Sequence, residues 1–200
     1  MFDVRYSTFK LPGMGLSIHY SGTIDRTEAI PQFVEELTDI ADSMDWMVQP
    51  INEDEADPHF RGIIVNPKGD CEPLCFIFDR QGRLRPLMDL LDEQVEPTKY
   101  SFSTSTKTQF AEIERHVWII GLLRYLKKRY LGNLKVSDEG EYWDTEDLEK
   151  LREKKQFLKG MIDRIAEGLG EAEPLPEGAS VDEMMARIEE VVKKLPRERE

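Results

Sequence analysis

Hydrophobic and polar positions alternate with a period of two near the start of the chain. Met14, Leu16, Ile18 and Tyr20 are interleaved with Gly15, Ser17, His19 and Ser21, the pattern of a strand buried on one face. The period then lengthens. Phe33, Val34, Leu37, Ile40, Ala41 and Met44 recur at three- and four-residue spacing, with Glu35, Glu36, Asp39 and Asp42 away from that stripe. This predicts a surface helix that begins between Thr27 and Pro31, where a capping hydroxyl and a first-turn proline both occur. Residues 46–51 and 61–65 read as strands on either side of an acidic loop over 52–58, and the second ends in the turn Asn66-Pro67-Lys68-Gly69-Asp70. In residues 73–79, Leu74, Phe76 and Phe78 share one face and Cys75 and Ile77 the other, so both sides are expected to be buried and the strand central. Arg80-Gln81-Gly82-Arg83 supplies a hairpin turn, residues 84–90 carry a weaker pattern, and residues 100–106 alternate again.

The longest helix is expected over residues 108–130. Its stretch 117–123 is apolar nearly all round apart from Gly121, as for a helix laid across a sheet and covered from outside. Lys127, Lys128 and Arg129 complement the macrodipole in its last turn, and Gly132 offers a stop. Residues 134–137 suggest a short edge strand. After Trp143 the composition changes to a charged helix over 145–169 with a narrow apolar line at Leu151, Leu158, Ile162, Ile165 and Leu169. Residues 168–179 hold three Gly and two Pro and read as a linker. Ser180-Val181-Asp182-Glu183 then matches a capping box ahead of Met184, Ile188, Val191 and Leu195, one stripe of a final amphipathic helix. The fold expected is α+β. A domain over 1–144, with a mixed or antiparallel sheet of five to six strands covered by two helices, precedes a helical C-terminal extension over 145–200.

Charge changes this picture most. Residues 27–60 contain ten Asp or Glu and no Lys or Arg, so much of the net charge of −13 sits in one segment. A field of that sign attracts cations and basic macromolecules and repels phosphate backbones, which argues against nucleic acid and anionic membrane as direct partners. A 40% hydrophobic share with 9% aromatics supports a real core. No apolar run is long enough to span a bilayer and no signal-like segment opens the chain, so a cytoplasmic protein is expected. Cys71 and Cys75 are too far apart in an extended chain for a disulfide and lack the partners of a zinc site, so they read as core thiols with no metal.

The acidic segment gives the first set of candidates: Glu35, Glu36, Asp39, Asp42 and Asp45 on the helix, and Glu53, Asp54 and Glu55 on the loop beside it, as a docking face for a basic protein. Asp39, Asp42 and Asp45 also crowd the helix C-terminus, where the macrodipole disfavours them. The loop has no Gly for a calcium turn. Trp143, set among carboxylates, is a recognition anchor unless it folds back to seal the core. Ligand binding is the alternative. His19 lies on the polar strand face; Ser101, Ser103, Ser105 and Lys107 lead to the long helix, whose N-terminus favours anions, though capping by Thr106 or Thr108 explains the same hydroxyls. Glu112 and His116 stand one turn apart and can pair. His59 sits by the acidic loop. No H-E-x-x-H, G-x-S-x-G, dinucleotide fingerprint or Walker loop is present, so no catalytic residue and no cofactor is assigned. The reading is a non-enzymatic interaction protein, whose final helix over residues 180–195 either folds back on the domain, pairs with its twin in a homodimer or holds a different protein, Met184 and Met185 suiting an adaptable contact. The alternative is a small-ligand binder or enzyme that uses the polar sheet face.

Overall fold

Seven strands among the described residues pair into two antiparallel sheets, not the single five-to-six-strand sheet that the pattern predicts. The computed structural model describes residues 15–54, 56, 58–90, 104–172 and 178–194. β1 (Ser17–Ser21) is the centre of a three-stranded sheet between β6 (Thr104–Lys107) and β7 (Lys135–Asp138). β2 (Met47–Ile51), β3 (Phe60–Asn66), β4 (Leu74–Asp79) and β5 (Leu84–Arg85) follow in order in the other. The sheets meet where β1 runs on past Gly22. One bridge, Thr23↔Arg83, is flanked by Leu84 N–H to Gly22 O at 2.9 Å and Ile24 N–H to Gly82 O at 2.8 Å. β5 is too short to extend this seam, because Pro86 has no N–H to continue the ladder. Both neighbours of β1 are thus supplied from far along the chain.

A side chain completes the seam. Cys75 lies two residues beyond the last β4–β5 pair, Ile77↔Arg85, so its N–H and C=O face the side where β5 has ended. The Tyr20 hydroxyl accepts from Cys75 N–H at 3.0 Å and donates to Cys75 O at 3.2 Å, standing in for the missing residue. Burial raises the Tyr20 phenol far above its ordinary value and pushes the Cys75 thiol up to about 11.

The main core lies between the sheets and two helices, α1 (Ile30–Ser43) and α2 (Ile113–Arg129). Phe33 is its hub, with ring centroids 5.6 Å from Phe76, 5.3 Å from Phe78 and 5.3 Å from Tyr130. β4 is buried on both faces, as the sequence suggests: Leu74, Phe76 and Phe78 enter this core, while Cys75 and Ile77 join Ile51 and Ile64 in a smaller cluster. Gly62 in β3 is required there, since at its φ of +145° a Cβ would stand 1.9 Å from Phe76 O. α2 begins five residues later than expected. Thr108 is still committed to the strand, its N–H bonding Leu16 O at 2.8 Å, so neither Thr106 nor Thr108 caps the helix; Glu112 holds the cap position without a side-chain bond. The strand expected over 100–106 is described only from Thr104, so Ser101 and Ser103, like Glu55, lie outside the described residues.

The chain divides into two units, Met1–Arg152 and Glu153–Glu200. The first ends within α4 (Leu148–Glu171), which follows the single turn α3 (Tyr142–Thr145). The second holds the rest of α4 and α5 (Val181–Lys194), so the expected linker start at 168 is helix through Glu171. Gly168 is where they touch, a Cβ there lying 2.6 Å from Val191. The capping box forms: Ser180 N–H reaches Glu183 Oε2 at 2.8 Å and Glu183 N–H reaches Ser180 Oγ at 3.2 Å.

Candidate interaction surface

The carboxylates of α1 divide into two groups. Glu36, on the edge nearest α2, receives hydrogen bonds from the Tyr125 and Tyr130 hydroxyls and from Arg129 Nε at 2.8 Å. Burial alone would raise its pKa, but these donors hold it below the usual glutamate value. Asp45 is paired with Lys68. Glu35, Asp39 and Asp42 form the second group, exposed on the outer face of α1 with no ion-pair partner among the described residues. Glu53 and Asp54 are also exposed.

Trp143 is half-buried and tied into its own unit. Its N–H bonds Asp138 Oδ2 at 3.0 Å, its carbonyl accepts from Arg124 Nη2 at 2.6 Å, and the Arg124 guanidinium lies 5.5 Å over the ring. Glu141 and Glu146, both with left-handed backbone, bracket the turn that places it.

The residues of the ligand alternative do not all converge. The register Ser17↔Lys107 and His19↔Ser105 sets His19, Ser105 and Lys107 on one face of the three-stranded sheet, where His19 Nε2 lies 3.8 Å from Glu139 Oε1. His116 lies elsewhere, inside the core and 1% exposed. It does not pair with Glu112. Its Nε2 lies 3.1 Å from Asp138 Oδ1 and its Nδ1 2.7 Å from Thr108 Oγ1. Burial alone would raise the Asp138 pKa. Hydrogen bonds from His116, Trp143 N–H and Gly140 N–H lower it, so the carboxylate accepts and Nε2 carries a proton. A Thr–His–Asp row resembles a nucleophile and base in composition, but Thr108 is fully buried and bonds Leu16 O at 3.0 Å, leaving no approach for a substrate. It is a structural tie between β6, α2 and β7. Among the described residues no group of three His, Cys, Asp or Glu side chains is placed to hold a metal, and no helix is long and apolar enough to cross a membrane.

The surface that sequence reasoning missed lies beside Glu36. There α1 and α2 part to leave a groove of about 650 Å³ lined by Ile40, Met44, Val117, Trp118, Leu122 and Tyr125. Trp118 is 57% exposed and Tyr125 40%. The signal was present in the apolar run over 117–123. The outer cover that such a run predicts is missing from its Trp118 side among the described residues, and only the packing of α1 shows this. No family model, curated protein or solved structure matches the chain.

Proposed function

We propose that this chain is a non-enzymatic interaction protein that docks a basic protein partner on the outer face of α1. One contrast carries the reading: Glu36 and Asp45 are neutralised by cations from distant sequence, whereas Glu35, Asp39 and Asp42 on the outer face are exposed and without an ion-pair partner among the described residues. Grouped charge of this kind steers association and is sensitive to salt. We place its work in the cytoplasm, a compartment in which a buried thiol such as Cys75 stays reduced. The test is affinity capture on the immobilised full chain, with wild type set against a combined Glu35→Lys, Asp39→Lys and Asp42→Lys variant. Partners that the wild type retains at low salt, releases at high salt and loses in the variant support the reading; identical capture by both proteins rejects it.

A second contact is with another copy of the chain. Val181, Met184, Met185 and Ile188 are exposed along one side of α5 among the described residues, a stripe that a second copy would bury. Light scattering across a dilution series checks this: a dimer that Ile188→Glu dissociates is expected, and a monomer at every concentration removes the dimer reading. The ligand alternative keeps its support from the shared face of His19, Ser105 and Lys107. Its probe is inorganic phosphate: a shift of the His19 ring resonances on titration is required, and unchanged resonances end it.

A further inference from the structure

We infer that the groove between α1 and α2 receives an amphipathic helix of another protein, seated apolar face down with Lys or Arg along the flank over α1. This rests on the acidic docking reading above and gives that reading a partner class.

The groove is an anchor site in its chemistry. Met44, Trp118 and Tyr125 are residue types that concentrate binding energy at interfaces, here lining one apolar trough with Ile40, Val117 and Leu122. From Glu36 to Met44 it follows α1 for eight residues, about 12 Å at the rise of a helix, which matches a ligand helix with anchors at i, i+3 or i+4, and i+7. Glu36 accepts from the Tyr125 hydroxyl and so fixes one end of the trough before anything binds.

Gly121 adds an independent observation. It sits mid-helix and exposed in the groove, with nothing within 4 Å of the position its Cβ would take. Glycine weakens a helix relative to alanine, and the packing of the described residues gives no reason for one there. A bare backbone at the centre of a trough lets a second helix lie closer, because the distance between helix axes is set by the side chains at the contact.

Charge selects the occupant. Asp39 lies about 100° round α1 from Ile40, so a cation on a long flexible stem reaches it from a helix in the groove, while Glu35 and Asp42, about 140° and 160° round, add to a field of the same sign. Lys128 is exposed on α2, which disfavours cations on the opposite flank and so sets which way the ligand helix is rotated. An anionic lipid surface is repelled by the same carboxylates. A second copy entering groove to groove would oppose acid to acid.

The probe is a synthetic helix of about 18 residues built from Leu, Ala and Lys, with leucines on one stripe and lysines along one flank. Its control is a shuffled isomer of identical composition and charge without the stripe. Both are titrated into the full chain, read by anisotropy and by the Trp118 indole resonance. The patterned peptide is expected to move that resonance and to bind roughly tenfold tighter than the isomer. Gly121→Leu, which fills the trough, is expected to lose that advantage with an unchanged far-UV spectrum. Equal binding of the two peptides, abolished by the combined Lys reversals of Glu35, Asp39 and Asp42, overturns the groove and leaves the acidic face standing. Binding of neither peptide overturns both. Light scattering in which Gly121→Leu turns a dimer into a monomer also overturns the inference, by giving the groove to a second copy.

Discussion

Asp138 shows how one side chain holds several elements. It ends β7, accepts from His116 on α2, and takes the N–H groups of Gly140 and Trp143 that start the next turn. Removing its charge leaves buried donors without a partner, so Asp138→Asn is expected to cost about 3 kcal/mol in urea unfolding at neutral pH. The pH dependence has a definite sign. The folded pKa lies below the ordinary value of 3.8, so the contribution is complete above that value and is lost as the pH falls through the lower one. Stability measured from pH 7 down to pH 2 should fall in that acid window, and Asp138→Asn should flatten the fall. Gly62→Ala tests the other tight position: with Phe76 O only 1.9 Å from the new methyl group, a loss on the order of 4 kcal/mol is expected in the same assay. Neither site was fully legible in the sequence. His116 could be paired by helical spacing with Glu112, but Asp138 is 22 residues away and arrives only through the β1–β7 pairing. The free carboxylates Glu35, Asp39 and Asp42 were legible because a helix periodicity alone separates them from the core stripe.

Elements with strong local patterns were read from the sequence close to where they form. α1, β3, β4 and the capping box of α5 each carry a period or a motif within a few residues. The start of α2 was not, because hydroxyls that suit a helix cap serve equally in a strand, and Thr108 is claimed by Leu16. Two substitutions test the helices as elements. Gly121→Ala should raise stability by about 1 kcal/mol, since it improves helix propensity and meets no neighbouring atom; a thermal melt shows it as a higher midpoint. Ser180→Ala should cost α5 about 1 kcal/mol by removing its N-terminal cap, read as lost helicity in circular dichroism.

For the whole molecule, the division into two sheets is the feature that sequence could not supply. It depends on which strands lie beside β1, and both come from more than eighty residues further along the chain. Net charge acts at the same scale. With −13 over 200 residues, self-repulsion opposes the folded state, so adding sodium chloride from low ionic strength to about 0.2 M should raise the melting temperature. A midpoint that falls instead would mean that local ion pairs such as Arg129 with Glu36 outweigh the repulsion. The phenol of Tyr20 sets a clock for such events. While it occupies the gap beyond β5, the Cys75 amide is shielded from deuterium, and the proton can leave only when the two sheets part. That single amide therefore reports the rate at which the halves of the core separate, and Tyr20→Phe should let it exchange early while amides deeper in β4 stay slow.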